Sequence, residues 1–583
     1  MSDHDGPDLA VAPPLRSRPS AAGLIVLFGV VAAGRLAFSL DRRIFHLIPD
    51  EPATFAMARW LSGGESWDMF TNSTWRPGFA TLLAPVFWVT DDQDTIMRLA
   101  LIIGAMLGGA AAVITALLIR RLTDLSSVGT LIVAGGVALT PASLSASAHV
   151  WAEPLVTVTV LMTLWSLFRF YDDPQIGKGL ATVAWSVIGY SSHGRLLLLV
   201  LIAALATVGL LLARRRWAAC AGIVLFVAAA TYASTWYAQI FVDALWTEPG
   251  ERNTAGSVLA RFSNPAAIVE SGVGQMWYLL VSTLGLAAIG TVVLVGRLAN
   301  PGRAPALRRD ALIVLGVITP LVMLSILFMS DRQRSDQLIY GRYNDAIMWP
   351  ILAVGASWTV GRLGTHWRNI GRPARWLLAG VPLTMLCAGA LIDLAHHDQF
   401  GVSAGTIEMI PGLIPALGSN DRINVLLVTG LALGSFGVLM ATMMFDRWRG
   451  LVIVPVAAGW LGLAGVATHD TLSNGRNFGE SARAVGQIDP AVLALDAEIV
   501  YGLVPESLDP GASAFTQNFY AHAYQWYLPE RSFRVISTGD YPPAGFVLAP
   551  IRDPILLASS AETVWIDPEV GIALWATTVD PNT

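Results

Sequence analysis

The residues best suited to chemistry are two adjacent acids that directly follow the first apolar segment. Asp50 and Glu51 stand in the stretch Ile48-Pro49-Asp50-Glu51-Pro52, shortly after an apolar run over residues 22–40. A run of about nineteen residues is long enough to cross a bilayer. An acid placed where the chain leaves the membrane can act as a general base at the lipid–water boundary. A substrate carried on a lipid would be presented to it there.

Further ionisable residues stand at the ends of later apolar segments. Such groups are costly at membrane depth and usually face a cavity, so they are candidates for a site. One arginine can bind two phosphate oxygens at once, and a carboxylate can take the proton of an attacking hydroxyl. Transfer of a sugar from a lipid phosphate needs both functions. The candidates are Arg76, His149, Glu153, His193, Arg195, Arg332, Arg334, Arg342 and Tyr343.

The composition assigns the class of protein. Hydrophobic residues make up 54% of the chain, charged residues 14%, and the mean hydropathy is +0.57. Soluble domains carry about a quarter charged residues, so this is a polytopic membrane protein. The net charge of −5 includes no basic block suited to nucleic acid. Cys220 and Cys387 lie in apolar segments, which argues against a disulfide framework or a metal site.

Apolar runs predict about thirteen transmembrane helices. Arginine-rich loops alternate with poorer ones, which places the N-terminus in the cytoplasm and the C-terminus outside. Arg42 and Arg43 are an exception, because they lie in a loop predicted to be external. After the first run, the predicted spans cover 97–119, 128–146, 153–169, 179–191, 196–212, 217–238, 275–296, 311–329, 346–360, 376–392, 424–445 and 451–467.

The predicted spans divide the chain into three parts. Residues 1–20 form a disordered cytoplasmic tail, and 21–468 form the transmembrane domain with an external loop over 41–95. Within that loop, the apolar stretch 78–90 is too short to cross and is interpreted as juxtamembrane or re-entrant helix. Trp67, Trp75, Trp277 and Tyr278 are assigned to the interfacial aromatic belt.

The third part, residues 469–583, is more polar and is predicted to form an external α/β domain. Its strand-like runs cover 494–501, 532–537, 545–549 and 571–575. Turns such as Asp509-Pro510-Gly511 separate them.

Four ordered segments resemble the GT-C glycosyltransferases, most of all the branch with protein O-mannosyltransferases and lipid A aminoarabinose transferases. They span residues 20–360, and their order is more specific than any one motif. The segments are Asp50-Glu51 with Ala58-Arg59-Trp60-Leu61 and Arg76-Pro77-Gly78, then Glu153-Pro154-Leu155, then 179–199 with Arg195, and last Tyr340-Gly341-Arg342-Tyr343.

The resemblance implies an inverting transferase that takes a sugar from a polyprenyl monophosphate at the external leaflet. Asp50 matches the acidic catalytic position, with Glu51 as its support or as an acceptor contact. The third segment reads Ser191-Ser192-His193-Gly194-Arg195 where a Thr-Arg-Pro type is expected, so His193 has either an added donor-binding role or none. Predicted donor-phosphate residues are Arg195, Arg342, His193, Arg76 and Tyr343; predicted acceptor or supporting residues are Glu153, His149, Arg332 and Arg334.

The expected partners follow from this reaction. The donor is a polyprenyl-phosphate sugar, and the acceptor is a glycan, lipid or protein of the cell envelope. The expected location is the bacterial inner membrane, among its lipids. No other cofactor and no metal site is predicted, and the sequence leaves open whether a divalent metal takes part.

Other interpretations remain open from the sequence. A transporter or flippase of lipid-linked sugars also needs a basic cavity, although the pseudo-repeats and matched broken helices common in transporters are not evident. A protein without catalysis, binding a glycan through residues 469–583, is a third possibility. At the level of residues, Asp50 can serve as a helix cap, and the arginines can anchor to lipid headgroups.

Overall fold

The structure is a computed structural model of the chain. It describes residues 19–39, 42–44, 50–67, 69, 76–246, 255–300, 304–330, 335–361, 380, 383, 386–391, 409–416, 425–444, 462, 483, 499–503, 522, 524–528, 533–537, 545–553, 556–557, 559, 561–567 and 572–577.

Helices dominate the first 450 residues of the described chain. The α-helices are α1 Ala21–Ala37, α2 Asp50–Leu61, α3 Gly78–Leu83, α4 Gln93–Leu122, α5 Ser127–Ala138, α6 Pro141–Ser147, α7 Glu153–Asp172, α8 Ile176–Ser192, α9 Leu197–Ala213, α10 Trp217–Leu245, α11 Ala255–Ala260, α12 Pro265–Ser282, α13 Leu286–Ala299, α14 Pro305–Met329, α15 Arg342–Asp345, α16 Trp349–Gly361 and α17 Val425–Met444. Short 3-10 helices cover Ala84–Trp88, Gly194–Leu196, Arg261–Ser263, Ser335–Ile339 and Pro411–Ala416.

Length and hydropathy show which helices can cross a membrane. Within the described residues, 5 helices are long and apolar enough, or up to 7 if each bent pair is one span. Shorter apolar helices include α1, α16 and part of α17. The full count of thirteen therefore stays a prediction.

Two segments predicted as continuous spans are broken in the structure. In the predicted span 128–146, α5 and α6 meet at 60°, because Pro141 cannot continue the preceding helix. In the predicted span 275–296, α12 and α13 meet at 107°. Leu284 and Gly285 both adopt positive φ there, at 50° and 82°. Left-handed residues end a right-handed helix, so the break is a backbone feature that apolar patterning does not reveal.

The short apolar stretch of the first loop does not form a long helix. It folds as α3 followed by the 3-10 helix Ala84–Trp88. Ser62 at the end of α2 donates its hydroxyl to the Ala84 carbonyl at 2.7 Å, which ties the two pieces together. This agrees with a segment that is too short to cross.

Small residues let the helices approach closely. A Cβ added to Gly290 of α13 would lie 2.0 Å from the Ile351 carbonyl oxygen of α16. One added to Gly355 of α16 would lie 2.1 Å from the Leu286 carbonyl oxygen. Close backbone approach through small residues is the usual way helices pack in membranes.

An ionic network joins three helix ends on the side away from Asp50. Arg121, at the end of α4, contacts Asp172 of α7 at 2.5 Å and Asp310 of α14 at 2.8 Å. Arg309 contacts Asp172 at 2.8 Å as well. The basic clusters predicted for one membrane face thus include helix ends that do meet; which face is cytoplasmic stays a prediction.

The C-terminal part contains a five-stranded mixed sheet with strand order β2-β1-β3-β5-β4. Strand β1 pairs parallel with β2 and β3, while β5 pairs antiparallel with β3 and β4. Each predicted strand run overlaps an observed strand, but β4 was missed, and its pairing is interrupted by a register shift between Thr563 and Trp565. That the sheet lies outside the membrane stays a prediction. The strands are β1 Ile499–Leu503, β2 Phe533–Ser537, β3 Gly545–Pro550, β4 Glu562–Asp567 and β5 Ile572–Thr577.

Candidate active site

The centre of the site is a buried arginine that bridges two acids. Arg342, the first residue of α15, contacts the Asp50 carboxylate at the start of α2 at 2.6 Å. Its Nε donates to Glu153 Oε1 at 2.5 Å, at the start of α7. Three helix starts far apart in sequence therefore meet at one point. Burial alone disfavours a charged Arg342, but the carboxylates of Glu153 and Asp50 raise the pKa of this guanidinium well above its ordinary value.

The three predicted acids differ in solvent exposure. The side chain of Asp50 is 19% exposed, that of Glu153 4% and that of Glu51 0%. Asp50 is therefore the carboxylate that an incoming molecule can reach most easily.

Glu51 faces the interior. It forms a bidentate pair with Arg42, one bond of which measures 2.9 Å, and it accepts a hydrogen bond from the backbone N–H of Val150. The Arg42 guanidinium also donates to the Ile44 carbonyl at 2.9 Å. Arg42 lies in a loop predicted to be external, whereas arginines prefer cytoplasmic loops. Its pair with Glu51 explains this exception, because the charge of Arg42 is neutralised inside the fold.

Arg195 has two hydrogen-bond donors without a partner among the described residues. Its guanidinium carbon lies 3.7 Å from the centre of the Tyr343 ring, close enough for a cation–π contact. Nη1 and Nη2 are buried and have no hydrogen-bond partner among the described residues. A buried guanidinium without acceptors is costly, so this arrangement suits an anion that completes its hydrogen bonds.

Arg76 lies on the same side of the cluster. Its guanidinium stacks over the Tyr190 ring at 4.1 Å, and Nη2 donates to the Tyr190 hydroxyl at 2.6 Å. Its Nη1 is buried and has no partner within the described part of the chain. Arg76 therefore offers one further donor.

His193 lies between these arginines. Its ring meets the edge of the Tyr343 ring, with centroids 5.1 Å apart. Burial first, and then the charges of Arg195, Arg342 and Arg76, lower the pKa of His193 well below its usual value. The imidazole is thus neutral at neutral pH and can donate or accept a hydrogen bond without adding charge. Three guanidinium groups face two carboxylates in the cluster, so positive charge is in excess.

An aromatic group supports Arg342. The guanidinium carbon of Arg342 lies 4.1 Å from the Trp151 ring centre. The His149 ring stacks on Trp151 with ring centroids 4.2 Å apart. His149 Nδ1 lies 2.9 Å from the Ser145 carbonyl oxygen. Burial and nearby Arg42 lower the pKa of His149 well below its usual value, so this ring is neutral too. His149 contributes to the support of Arg342.

Helix α15 is held from the interior by α12. Asp345 accepts a hydrogen bond from the Tyr278 hydroxyl at 2.5 Å, and the same hydroxyl accepts from the Gly412 N–H at 2.9 Å. Asn344 donates to Gln275 at 2.9 Å. Burial raises the pKa of Asp345 to about 7, and the Tyr278 hydrogen bond partly offsets this rise.

The sequence analysis did not predict the role of several residues in this framework. The assignment of Trp67, Trp277 and Tyr278 to an interfacial belt is wrong, because their exposed fractions are 1%, 0% and 0%. Tyr278 binds α15, and Trp277 donates to Thr429 at 3.0 Å. A polar Gln275 inside an apolar span was the available signal. Arg332, Arg334 and Trp75 lie outside the described residues, and the roles predicted for these two arginines stay predictions.

Comparison with solved structures identifies the fold. The chain superposes on ArnT from Cupriavidus metallidurans bound to undecaprenyl phosphate with a TM-score of 0.56 at 13% identity, covering 96% of this chain and 99% of that one. It superposes on the same protein in the apo state with a TM-score of 0.51 at 13% identity, covering 96% and 98%. The chain has the fold of these ArnT structures, which is the fold that the GT-C resemblance implies. The fold resemblance inferred from the four ordered segments is thereby confirmed, and the fold and apolar helices together show a multi-pass membrane protein.

Neither protein-family models nor curated proteins match the chain by sequence.

Proposed function

We propose that the protein is an inverting membrane glycosyltransferase. It transfers a sugar from a polyprenyl phosphate to a cell-envelope acceptor at the external face of the bacterial inner membrane. The likeness to an ArnT structure bound to undecaprenyl phosphate supports a lipid-phosphate donor. Helices long and apolar enough to cross a membrane support presentation of that donor from the bilayer.

One observation carries the proposal: the reachable carboxylate Asp50 is fixed 2.6 Å from Arg342, in the cluster where Arg195 has two unpaired buried nitrogens. A base and an anion-binding group are the two functions that the reaction needs. Both come from side chains at helix starts on one side of the bundle.

The phosphate is assigned to Arg195 and Arg76. Each guanidinium lies over a tyrosine ring, which restrains its position before the ligand arrives. A planar fork suits two phosphate oxygens, and pre-orientation lowers the entropy lost on binding. The neutral His193 and the ring of Tyr343 complete this side.

The chemical step follows from these positions. The acceptor hydroxyl oxygen attacks the anomeric carbon of the sugar as Asp50 takes its proton. The bond between that carbon and the phosphate oxygen breaks, and its electron pair leaves with the polyprenyl phosphate. Arg195 and Arg76 stabilise the charge that grows on this phosphate. A carboxylate also stabilises the positive charge that develops on the sugar. Attack opposite to the departing phosphate inverts the anomeric centre.

The other acids have supporting roles. Arg342 holds the Asp50 carboxylate in place through their ion pair at 2.6 Å. Glu153 neutralises the rest of Arg342, and its buried Oε2 has no partner among the described residues, which leaves it available to a substrate hydroxyl. Glu51 anchors α2 through Arg42.

The test is Asp50→Asn in protein reconstituted into liposomes, with labelled polyprenyl-phosphate sugar and envelope acceptors. Asparagine cannot take the proton, so turnover should fall about 10²- to 10⁴-fold. Donor binding should persist, because the amide oxygen can still accept from Arg342. The matched control is Asp91→Asn, which changes an exposed acid of the same loop and should keep turnover unchanged.

Turnover like that of the wild type in the Asp50→Asn protein would remove Asp50 from the mechanism. Movement of intact donor between leaflets, without product, would instead support a transporter.

A further inference from the structure

Trp526, in the C-terminal part, packs directly on the helix that carries Asp50. Its ring centroid lies 4.6 Å from that of Phe55, and Trp526 is 1% exposed. Phe55 lies on α2 between one and two turns after Asp50. On another side, Trp526 meets Trp67 of the first loop edge to face at 6.2 Å. The indole thus fills the space between α2 and the chain that follows it.

Other aromatic and ionic contacts hold the ends of α2. Glu51 fixes the first turn through Arg42, and Trp60 packs against Phe241 of α10 with ring centroids 5.2 Å apart. These contacts lie at the two ends of the helix, whereas Phe55 lies at its middle. The contact with Trp526 restrains the middle of α2 from the side of the C-terminal part.

Trp526 is in turn connected to the sheet. It belongs to the helical turn 524–527, whose Tyr524 meets Trp565 of β4 with ring centroids 6.1 Å apart. A second link joins the two regions where Arg483 contacts Asp94 at 2.8 Å. The Arg483 side chain is 49% exposed, so this ion pair is screened and weak. Of these two links between described residues, the buried aromatic contact is the stronger.

We propose that the helical turn 524–527 is a positioning part of the site, in which Trp526 holds α2 and thereby sets the location of Asp50. The catalytic consequence rests on the proposed function, whereas the docking of the turn on α2 does not. The C-terminal part then acts on the transfer step itself as well as on any acceptor that it contacts.

The experiment compares Trp526→Ala and Trp526→Phe with Leu556→Ala in full-length protein in nanodiscs. Leu556 belongs to a separate cluster within the sheet, so its truncation weakens that core without touching α2. Amide hydrogen exchange over residues 50–61 reports the docking, and turnover and donor affinity are measured with polyprenyl-phosphate sugar.

The expected result is faster exchange over 50–61 in Trp526→Ala, with turnover about 10- to 100-fold lower and donor affinity within about twofold of the wild type. A displaced base slows the chemical step and leaves phosphate binding intact. Trp526→Phe, which keeps an aromatic ring, should restore most turnover. Leu556→Ala should leave exchange over 50–61 unchanged.

Unchanged exchange over 50–61 in Trp526→Ala overturns the proposal, as does an equal loss of turnover in Leu556→Ala. Failure of the proposed function gives a different pattern, in which Asp50→Asn keeps its turnover while the exchange result still reports the docking.

Discussion

Two arginines of the same site differ in what surrounds their charge. Arg342 is saturated by Asp50 and Glu153, and it lies over Trp151. Arg195 lies over Tyr343 with two nitrogens unpaired among the described residues. A paired guanidinium fixes its neighbours, whereas an unpaired one has the capacity to bind a ligand. The sequence predicted phosphate binding for both. In the proposed reaction Arg195 has that role and Arg342 holds Asp50.

Arg195→Lys tests this division. Lysine keeps the charge but loses the planar fork and its stacking on Tyr343. The loss of one charge-assisted hydrogen bond, about 1.5–3 kcal/mol, should weaken polyprenyl-phosphate binding about 10- to 100-fold. Titration of the lipid against purified protein measures this affinity. Arg214→Lys, at an exposed position after α9, is the matched control. Equal affinities for wild type and Arg195→Lys would assign the phosphate elsewhere.

Glu51→Gln tests the buried pair below the site. The change leaves the Arg42 charge without its carboxylate, and breaking a buried ion pair in this way costs about 3–5 kcal/mol. A lower apparent unfolding temperature in detergent is expected. Glu65→Gln, at an exposed position of the same loop, should leave that temperature unchanged. If the two variants unfold at the same temperature, the pair is not a structural anchor.

At the scale of elements, the short helix α15 decides whether Arg342 is in place. Its residues bind outward to Asp50 and Glu153, and inward to Gln275 and Tyr278. Gly341 precedes it, and a Cβ there would lie 1.9 Å from Cζ of Tyr278. A glycine is required because the tyrosine ring is rigid and fully buried.

Gly341→Ala should therefore move α15. Overpacking of a filled core costs about 1–3 kcal/mol, so the apparent unfolding temperature should fall, and turnover should fall with it as Arg342 leaves Asp50. Gly316→Ala in α14 is the matched control, because its added methyl meets nothing within 4 Å. Wild-type turnover and stability in Gly341→Ala would show that α15 tolerates displacement.

The elements could largely be predicted where the signal is local. Apolar length located α4, α7 and α14, and β-type composition located β1, β2, β3 and β5. The break between α12 and α13 could not be found in this way, because it depends on the backbone angles of Leu284 and Gly285 within an apolar run. Strand β4 was missed where its pairing shifts register.

At the scale of the whole molecule, the sequence predicted that several charged residues lie on one side, but it did not predict how they pair. Asp50, Glu153 and Arg342 were candidates, and the structure joins them directly. The contacts with Arg42, Trp151 and Tyr278 depend on which helix ends become neighbours, and spacing along the chain does not contain that information. Tyr278 and Trp277 were misassigned because an aromatic residue near a predicted span end has the same local pattern in a belt and in a core.

The ionic network of Arg121, Asp172, Arg309 and Asp310 has a mechanical consequence for the helices that it joins. It fastens three helix ends together opposite the site, so angular separation of these helices is largest at their free ends. Helix α4 has 30 residues and is therefore about 45 Å long. A tilt of about 5° around the fastened ends opens the free end by about 4 Å, roughly one carbon–carbon contact distance. A small rotation of this long helix therefore produces a displacement of several ångströms at the end beside the site.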